Sequence, residues 1–296
     1  MILVTGAQGF LGRHLIPALI QKWGADQVMA LTSAPVYSGG AWLQHHNYDF
    51  SPDYFVRSGF ESIHTIIHAG AYIPKSSKDG KDWQACNRNI VTTERLLTAQ
   101  LPSLKRLIFI STVDVYGPAE IVSEKTAVQP VSLYGLSKYY CEQMLEAWAE
   151  EQNKTIQILR VGHIYGPGEE QYQKLIPVTM RKLLQRESLQ LWGEGTEERA
   201  FIYVSDVVNA IISACGYETY LKPVNVAGKR AVTVKKLMDL LIGMAEYSPI
   251  IERQSFNGPG RSIRFDVSRM EEILGPERVS LEDGLRSEWE YMKEVK

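Results

Sequence analysis

The chain of 296 residues has a formal net charge of -2, with 45% hydrophobic and 22% charged residues. This balance is typical of a globular protein with a substantial core, and it excludes the strongly basic class of nucleic-acid-binding proteins. No stretch approaches the roughly 18 consecutive apolar residues that a membrane-spanning helix needs. The 3 cysteines lie far apart in the sequence, which favours free thiols in a reducing compartment. The first residues are predicted to form a strand rather than a signal peptide. We therefore expect a cytoplasmic protein with neither a membrane nor a nucleic acid as its partner.

A glycine-rich turn joins the first predicted strand to the first predicted helix. Met1–Val4 is an apolar run typical of a buried parallel strand, and the helix is expected at about Gly9–Lys22. Glycines at every third residue between them permit a tight bend, a close approach of the backbone to a pyrophosphate, and packing of the helix on the strand. The N–H groups at the start of the helix would face the phosphates of a nicotinamide dinucleotide. The candidate cofactor contacts are Gly6, Gln8, Gly9, Phe10, Leu11 and Gly12.

The second predicted strand, Gln27–Leu31, bears on the choice between NAD and NADP. It ends in Thr32 and Ser33, whereas NAD-specific sites usually carry an acid about 20 residues after the glycines. Because such an acid would repel a 2′-phosphate, its absence slightly favours NADP, with Thr32 and Ser33 as candidate contacts. Residues 48–50 would close the next strand, where Asp49 either accepts a hydrogen bond from the adenine amino group or only begins a turn. Asp49 and Phe50 are further candidate cofactor contacts.

The following segments alternate between strands and helices. A strand at Thr65–His68 runs into Ala69 and Ala71, small residues that would let the cofactor pass close to the backbone. Short connections between alternating elements predict an α/β fold with a doubly wound parallel sheet. After residues 165–168 the sequence is richer in turns and polar residues, which predicts a smaller second domain. The other predicted elements are the helix Trp83–Leu101, the strand Arg106–Ile110, the helix Gly135–Gln152 and the strand Ile156–Val161.

A candidate catalytic set follows the predicted central strand. This strand delivers Thr112 to the carboxyl edge of the sheet, where α/β proteins bind their ligands. Tyr134 and Lys138 are four residues apart, so on a helix their side chains would share a face. Since a tyrosine hydroxyl with a pKa of ~10 is a poor base at neutral pH, we expect the ammonium and a cationic nicotinamide to favour the phenolate. Thr112 would hydrogen-bond the substrate oxygen while Tyr134 transfers its proton.

Several motifs resemble those of the extended short-chain dehydrogenase/reductases, in particular the NAD-dependent epimerase/dehydratase family that acts on nucleotide sugars. They are TGAQGFLG, IHAGA, NIVTT, STVDVYG, PVSLY, YGPG and LWGEGTEERAFIYVSDV. The resemblance implies a Rossmann-type NAD(P)-binding domain over residues 1–165, with return segments at about 202–226, and a mainly substrate-binding α/β domain over 166–296. It implies a homodimer formed through the helices at 83–101 and 135–152. It assigns catalysis to Thr112, Tyr134 and Lys138, and adds Asn89, Tyr134 and Lys138 to the cofactor contacts.

The resemblance also implies a nucleotide-diphosphate sugar as the substrate, with Arg199 holding the diphosphate. His163 replaces the asparagine usual before YGP, and it is either a substrate contact or a structural group. Trp192 either stacks on the nucleotide base or packs in the core. Arg261 or Arg264 would supply a second contact to the diphosphate. The candidate substrate contacts are Thr112, Asp114, His163, Trp192, Arg199 and Arg261.

One departure from the family pattern concerns the acid pair that its sugar dehydratases place after the catalytic threonine. Here the pair is Val113 and Asp114, and in an extended segment Asp114 alone would share a face with Thr112, which disfavours dehydration. The sequence therefore predicts an NAD(P)-dependent oxidoreductase acting at a ring carbinol or ketone of a nucleotide sugar, with C4 as the expected position. A 4-keto reductase is slightly favoured over an NAD-retaining 4-epimerase. A dehydratase, a non-catalytic dinucleotide sensor and an enzyme for a steroid-like ketone are less favoured, and no metal site is predicted.

Overall fold

The computed structural model describes residues 1–32, 44–47, 60–75, 79–255 and 262–295, with the backbone alone for residues 44–47. The strands of the described residues, in chain order, are β1 (Ile2–Thr5), β2 (Val28–Thr32), β3 (Gln44–Asn47), β4 (Thr65–His68), β5 (Arg106–Thr112), β6 (Ile121–Val122), β7 (Thr155–Val161), β8 (His163–Tyr165), β9 (Leu189–Trp192), β10 (Glu198–Tyr203), β11 (Val224–Val226), β12 (Ala231–Thr233), β13 (Ile251–Gln254) and β14 (Arg264–Phe265). The α-helices are α1 (Phe10–Trp23), α2 (Trp83–Thr98), α3 (Leu133–Gln152), α4 (Leu175–Leu184), α5 (Val204–Ala214), α6 (Val234–Ile242), α7 (Ser268–Ile273) and α8 (Leu281–Glu294).

A seven-stranded sheet forms the centre of the molecule, in the order β11-β7-β5-β4-β1-β2-β3. Every neighbouring pair is parallel, which brings the carboxyl ends of all seven strands to one edge. Strands β2 and β4 are buried along their whole length, as expected of strands covered on both faces. The expected α/β class with a doubly wound parallel sheet is confirmed.

Helices cover the sheet on both faces. Helices α1 and α5 pack together on one face, where Leu15 of α1 and Ile211 of α5 join the same buried apolar cluster. Helices α2 and α3 pack together on the other face, where Leu96 and Leu145 join a second cluster. Both clusters bury apolar side chains that would otherwise lie in water, which is the main favourable term in folding.

Local signals explain where the structure departs from the predicted element bounds. Helix α3 begins at Leu133, two residues earlier than expected, because the Ser132 hydroxyl caps it by accepting a hydrogen bond from the Gly135 N–H. After β5 the chain forms a 3₁₀ turn at Val113–Val115 rather than the extended segment we expected. The Thr112 hydroxyl accepts a hydrogen bond from the Asp114 N–H and so caps this turn. The turn still buries Val113 and leaves Asp114 exposed.

Three smaller sheets are formed by strands that follow β7 in the chain, together with β6. They are β8-β10-β12, β9-β13 and β6-β14. A third apolar cluster holds together α4, α6 and α8, with Met180, Leu241 and Leu285 fully buried. Strand β11 belongs to the large sheet, beside β7. The division into domains at residue 165 stays a prediction. Among the described helices, none combines the length and apolarity that a membrane crossing requires.

Candidate active site

A cavity of about 750 Å³ opens at the carboxyl edge of the large sheet. It lies where the turn after β1, the segment after β4, the end of β5 and the start of α3 converge, which is the usual ligand site of a doubly wound sheet. Most of the predicted site residues that the structure describes line this one cavity. They are Gly6, Gly9, Phe10, Leu11, Gly12, Ala69, Ala71, Thr112, Asp114, Tyr134, Lys138 and His163.

The turn after β1 has the shape of a phosphate cradle. Gly6 has a φ of +70°, and a Cβ at this position would lie 2.6 Å from the Cα of Gly70. A Cβ on Gly12 would press against the Gly6 carbonyl, so the close packing of α1 on the turn requires glycine there. No side chain caps the N-terminus of α1 at Gly9, which leaves its first N–H groups to bind an anion. These residues fit the pyrophosphate of a dinucleotide.

A buried histidine holds this turn against the segment after β4. The two ring nitrogens of His68 lie 2.7 Å from the Thr5 hydroxyl and 3.2 Å from the Thr93 hydroxyl. The Thr5 hydroxyl also accepts a hydrogen bond from the Gly70 N–H at 3.0 Å. Burial, followed by the charge of Lys138, lowers the pKa of His68 to about 3, so the ring is neutral. We therefore assign His68 a structural role behind the cradle.

Tyr134 occupies the first turn of α3, next to the end of β5. Gly135 allows this approach, because a Cβ there would press against the Asp114 carbonyl. The pKa of Tyr134 is raised by burial first and then by the charge of Asp114, while a hydrogen bond with Thr112 lowers it. The net shift in the protein by itself is therefore opposite to the lowering that we expected from Lys138 together with a cationic nicotinamide. The hydroxyl of Tyr134 is protonated at neutral pH and is therefore a proton donor.

Lys138 lies one turn further along α3 and is 2% exposed. Its Nζ is 4.1 Å from the centre of the Phe109 ring, which gives a cation–π contact with the side chain of β5 below it. Burial lowers the pKa of Lys138 to about 8, so the ammonium is still the main form at pH 7. A buried ammonium beside the cavity can donate hydrogen bonds to a ligand hydroxyl such as a ribose.

Beyond His163 the cavity continues into a second cavity of about 240 Å³. His163, Ile164 and Lys174 line both cavities. Arg199 lines only the smaller one, and its Nη1 donates to the neighbouring carbonyl of Glu198 at 3.0 Å. The two cavities together place Arg199 on the far side of His163 from Tyr134. This arrangement can hold an extended ligand with an anionic part near Arg199.

Some predicted contacts do not line either cavity within the described residues. Asn89 is 3% exposed, and its side-chain amide bonds the backbone of Tyr72 and the hydroxyl of Ser137. Asn89 therefore links α2 to α3 through its hydrogen bond with Ser137. Trp192 is half exposed at the end of β9, and neither Gln8 nor Thr32 reaches the lining. The candidates outside the described residues are Ser33, Asp49, Phe50 and Arg261.

Lys174 is one of the cavity residues that the sequence analysis did not single out. Lys174 precedes α4, and its Nζ donates to the Ile164 carbonyl at 3.0 Å and to a carboxylate oxygen of Glu169 at 2.9 Å. Lysine is common on protein surfaces, and no motif spacing distinguishes this one from the others. Only the folding of the chain brings it to the cavity, where its Nζ bonds the Ile164 carbonyl of β8.

Comparisons with known proteins identify relatives that align along almost the whole chain. The family model described as NAD dependent epimerase/dehydratase family matches residues 2–230. An uncharacterized UDP-glucose epimerase of Bacillus subtilis is 27% identical over 99% of this chain and 98% of its own length. The dTDP-4-dehydro-6-deoxyglucose reductase of Escherichia coli is 26% identical over 96% of this chain and 95% of its own length.

A solved structure extends the likeness to three dimensions. The UDP-glucuronic acid 4-epimerase of Bacillus cereus, solved in complex with NAD, superposes with a TM-score of 0.84 at 25% identity and covers 99% of both chains. The family model spans well over half of the 296 residues, and the full-length relatives include both epimerases and reductases. The chain belongs to the NAD-dependent epimerase/dehydratase family of extended short-chain dehydrogenase/reductases, and it is an NAD(P)-dependent enzyme of that family.

Proposed function

We propose that this enzyme transfers a hydride to or from a ring carbon of a nucleotide-diphosphate sugar, at C4, with Thr112, Tyr134 and Lys138 as its catalytic residues. The observation that carries the proposal is their convergence with the glycine cradle in one cavity. A protein that only sensed a dinucleotide would need the cradle but not a tyrosine hydroxyl hydrogen-bonded to a threonine hydroxyl beside it.

The roles follow from the protonation states. When bound, the nicotinamide cofactor supplies the hydride donor or acceptor. Tyr134 gives its hydroxyl proton to the sugar oxygen as a ketone becomes an alcohol, and takes it back in the reverse direction. Thr112 hydrogen-bonds the same oxygen and orients it. Lys138 donates hydrogen bonds to the cofactor ribose, and its positive charge favours the phenolate of Tyr134 once the proton has left.

As the net reaction we propose reduction of a 4-keto sugar. Tyr134 supplies the proton in this direction, because a neutral phenol is the form that protonates a ketone oxygen. NADPH would be the hydride donor, which the strand end at Thr32 supports by presenting no carboxylate to a 2′-phosphate. The reductase of Escherichia coli is a relative of this kind.

A 4-epimerase is the second candidate. Here the cofactor stays bound, the alcohol is oxidised, the keto sugar rotates, and reduction of its other face gives the epimer. The observation in favour is that the Bacillus cereus epimerase, which aligns over 99% of this chain, was solved with NAD. Both candidates use Thr112, Tyr134 and Lys138 in the same way.

Identification of the bound cofactor separates the two candidates. The purified protein is denatured and the released dinucleotide is identified, and the native protein is titrated with NADPH and NADH. Tightly held NAD(H) that does not exchange would refute the reductase, and interconversion of UDP-sugars would then be assayed. An empty protein that prefers NADPH would support the reductase, and 4-keto-6-deoxy nucleotide sugars would be assayed.

The Tyr134→Phe variant tests the catalytic assignment for both candidates. We expect kcat to fall by ~100-fold or more, because the proton donor is lost, while cofactor affinity stays within a few-fold of the wild type. Tyr140→Phe is the matched control, since Tyr140 lies on the same helix with its ring 54% exposed. Full activity of Tyr134→Phe would refute an enzymatic role for this hydroxyl and favour a dinucleotide sensor.

A homodimer is part of the proposal. Trp83 of α2 and Leu136 and Tyr140 of α3 are large apolar side chains that are each more than half exposed in the single chain. They lie on the two helices through which the family resemblance implies pairing. A cytoplasmic location also stays a prediction.

A further inference from the structure

Two buried glutamates behind the substrate side of the cavity are not used by the proposed reaction. Glu169 lies between β8 and α4, Glu288 lies on α8, and each is 1% exposed. Neither oxygen of Glu288, and only one oxygen of Glu169, has a hydrogen bond of standard geometry with a described residue. The two carboxyls nevertheless interact with each other, by a side-chain hydrogen bond and by charge. They cannot both be ionised, because each charge is desolvated and repels the other.

The packing of α8 explains why Glu288 points inwards. One turn before it, a Cβ on Gly284 would lie 2.7 Å from the Tyr165 ring and 2.8 Å from the Tyr203 ring, so only glycine allows the helix to approach so closely. The Tyr203 hydroxyl lies 2.9 Å from the Ser287 hydroxyl and ties the same turn of α8 to β10. The close packing of α8 against Tyr165 and Tyr203 therefore buries the side chain of Glu288.

Lys174 connects this pair to the cavity. Its ammonium has three hydrogens, of which one bonds the Ile164 carbonyl and one bonds Glu169. Its side chain is 38% exposed while that of Glu169 is 1% exposed, so the cation is accessible and its partner is buried. Lys174 also lines both the large and the small cavity, which places it between Tyr134 and Arg199.

The protonation state of Glu169 and Glu288 determines the net charge around Lys174 at the cavity wall. Burial and then the charge of Glu169 raise the pKa of Glu288 well above its ordinary value. Burial also raises the pKa of Glu169, but there the contact with Lys174 acts in the opposite direction. The proton therefore resides on Glu288, so the ionised carboxylate of Glu169 is the single negative charge that pairs with the ammonium of Lys174. A second negative charge would instead repel an anionic ligand and draw Lys174 inwards.

We propose that Lys174 binds the diphosphate of the substrate together with Arg199, and that Glu169 and the protonated Glu288 are positioning residues that hold Lys174 at the cavity wall. The inference rests on the proposed nucleotide-sugar substrate, and it makes the C-terminal helix a part of substrate recognition. Lys174 contributes a charge-assisted hydrogen bond to the bound diphosphate, while Glu169 and Glu288 act only through Lys174.

Binding of nucleoside diphosphates tests this without turnover. UDP, dTDP and GDP are titrated by calorimetry into the NAD-loaded wild type, and the tightest of the three becomes the probe. We expect Lys174→Met to raise its Kd by ~10-fold or more and to raise KM for the matching nucleotide sugar with little change in kcat. Lys236→Met, at an exposed position of α6 away from both cavities, is the matched control and keeps the wild-type Kd.

Variants of the glutamates separate positioning from mere folding. Glu288→Gln keeps a hydrogen-bond donor against Glu169, so we expect a Kd within about twofold of the wild type. Glu288→Leu removes that donor and Glu169→Gln removes the charge that holds Lys174, and each is expected to raise the Kd by ~3-fold or more. Circular dichroism and the midpoint of denaturant unfolding report whether each variant is folded.

The outcomes distinguish the two proposals. If the NAD-loaded wild type binds none of the three diphosphates with a Kd below ~1 mM, the nucleotide-sugar substrate itself is refuted. If the wild type binds one of them and Lys174→Met binds it equally well, only the role of Lys174 is refuted. If Lys174→Met weakens binding while folded Glu169→Gln and Glu288→Leu do not, the two glutamates are not positioning residues.

Discussion

Lys138 is a buried cation in the centre of the candidate active site, and it has a cost in stability. Its pKa falls from 10.5 to about 8 in the folded protein, mainly through burial. Between these two pH values the unfolded chain binds the proton more tightly than the folded protein does. The destabilisation of the folded protein by Lys138 is therefore largest below pH 8 and disappears as the pH rises towards 10.5.

We expect Lys138→Met to stabilise the protein at pH 7 by about 2 kcal/mol while it abolishes activity, because methionine fills similar space and carries no charge. The free energy of unfolding is measured by denaturant titration for both proteins between pH 7 and 10.5. The difference between them should shrink across this range. A difference that does not depend on pH would mean that the protonation of Lys138 is not what destabilises the wild type.

At the scale of single residues, the sequence predicted best where chemistry demands a local spacing. Tyr134 and Lys138 share a helix face because they are four residues apart, and the glycines of the cradle follow from the turn they must form. Glu169 and Glu288 could not be predicted, since they are 119 positions apart in the sequence (288 − 169) and meet only through the docking of α8. The sequence also could not predict that the pKa of Tyr134 is raised, because the largest cause is burial in the folded protein.

Among the elements, α3 is fixed to the sheet by a buried ion pair one turn after Lys138. Both carboxylate oxygens of Glu142 accept hydrogen bonds from Arg160 of β7, at 3.0 and 2.6 Å, and Oε1 lies 2.5 Å from the Ser111 hydroxyl. The Tyr116 hydroxyl accepts a further bond from Arg160 at 2.8 Å. This network links α3 with β5 and β7, and so fixes the helix that carries Tyr134.

We expect Glu142→Gln to lower the free energy of unfolding by about 3–5 kcal/mol, because it leaves the Arg160 guanidinium buried without its counter-charge. Denaturant titration measures the change. Glu150→Gln, on an exposed position of the same helix, should change stability by less than about 0.5 kcal/mol. The double variant Glu142→Met, Arg160→Met should recover much of the loss. Equal stability of Glu142→Gln and the wild type would show that the pair carries no net charge interaction.

The whole molecule is expected to pair through α2 and α3. Replacing Leu136 and Tyr140 by glutamate would place two charges in an apolar interface, so we expect this variant to sediment as a monomer at micromolar concentration where the wild type sediments as a dimer. Ile250→Glu is the control, since Ile250 is 75% exposed and lies in the segment before β13, outside both helices. A wild type that is monomeric at these concentrations would contradict the proposed dimer.

At the scale of the whole chain, the first half of the fold could be predicted and the second half only in outline. Buried parallel strands such as β2 have continuous apolar runs, which identify them without knowledge of their neighbours. Strands β8 to β14 are two to six residues long and pair with partners far away in the sequence, so local patterns do not specify them. The turn after Thr112 was predicted as extended, because the alternation of side chains along a strand does not reveal the local hydrogen bond from the Asp114 N–H to the Thr112 hydroxyl that caps the turn.

The position of β11 at the edge of the large sheet has a consequence for synthesis on the ribosome. Strand β7 is an internal strand only when β11 pairs with it, yet the segment that contains β8 to β10 must emerge between the two. A nascent chain that ends before Val224 thus exposes the open edge of β7 and invites pairing with other chains. For the same reason, residues 1–165 cannot be cut out and exchanged between relatives as an independent module.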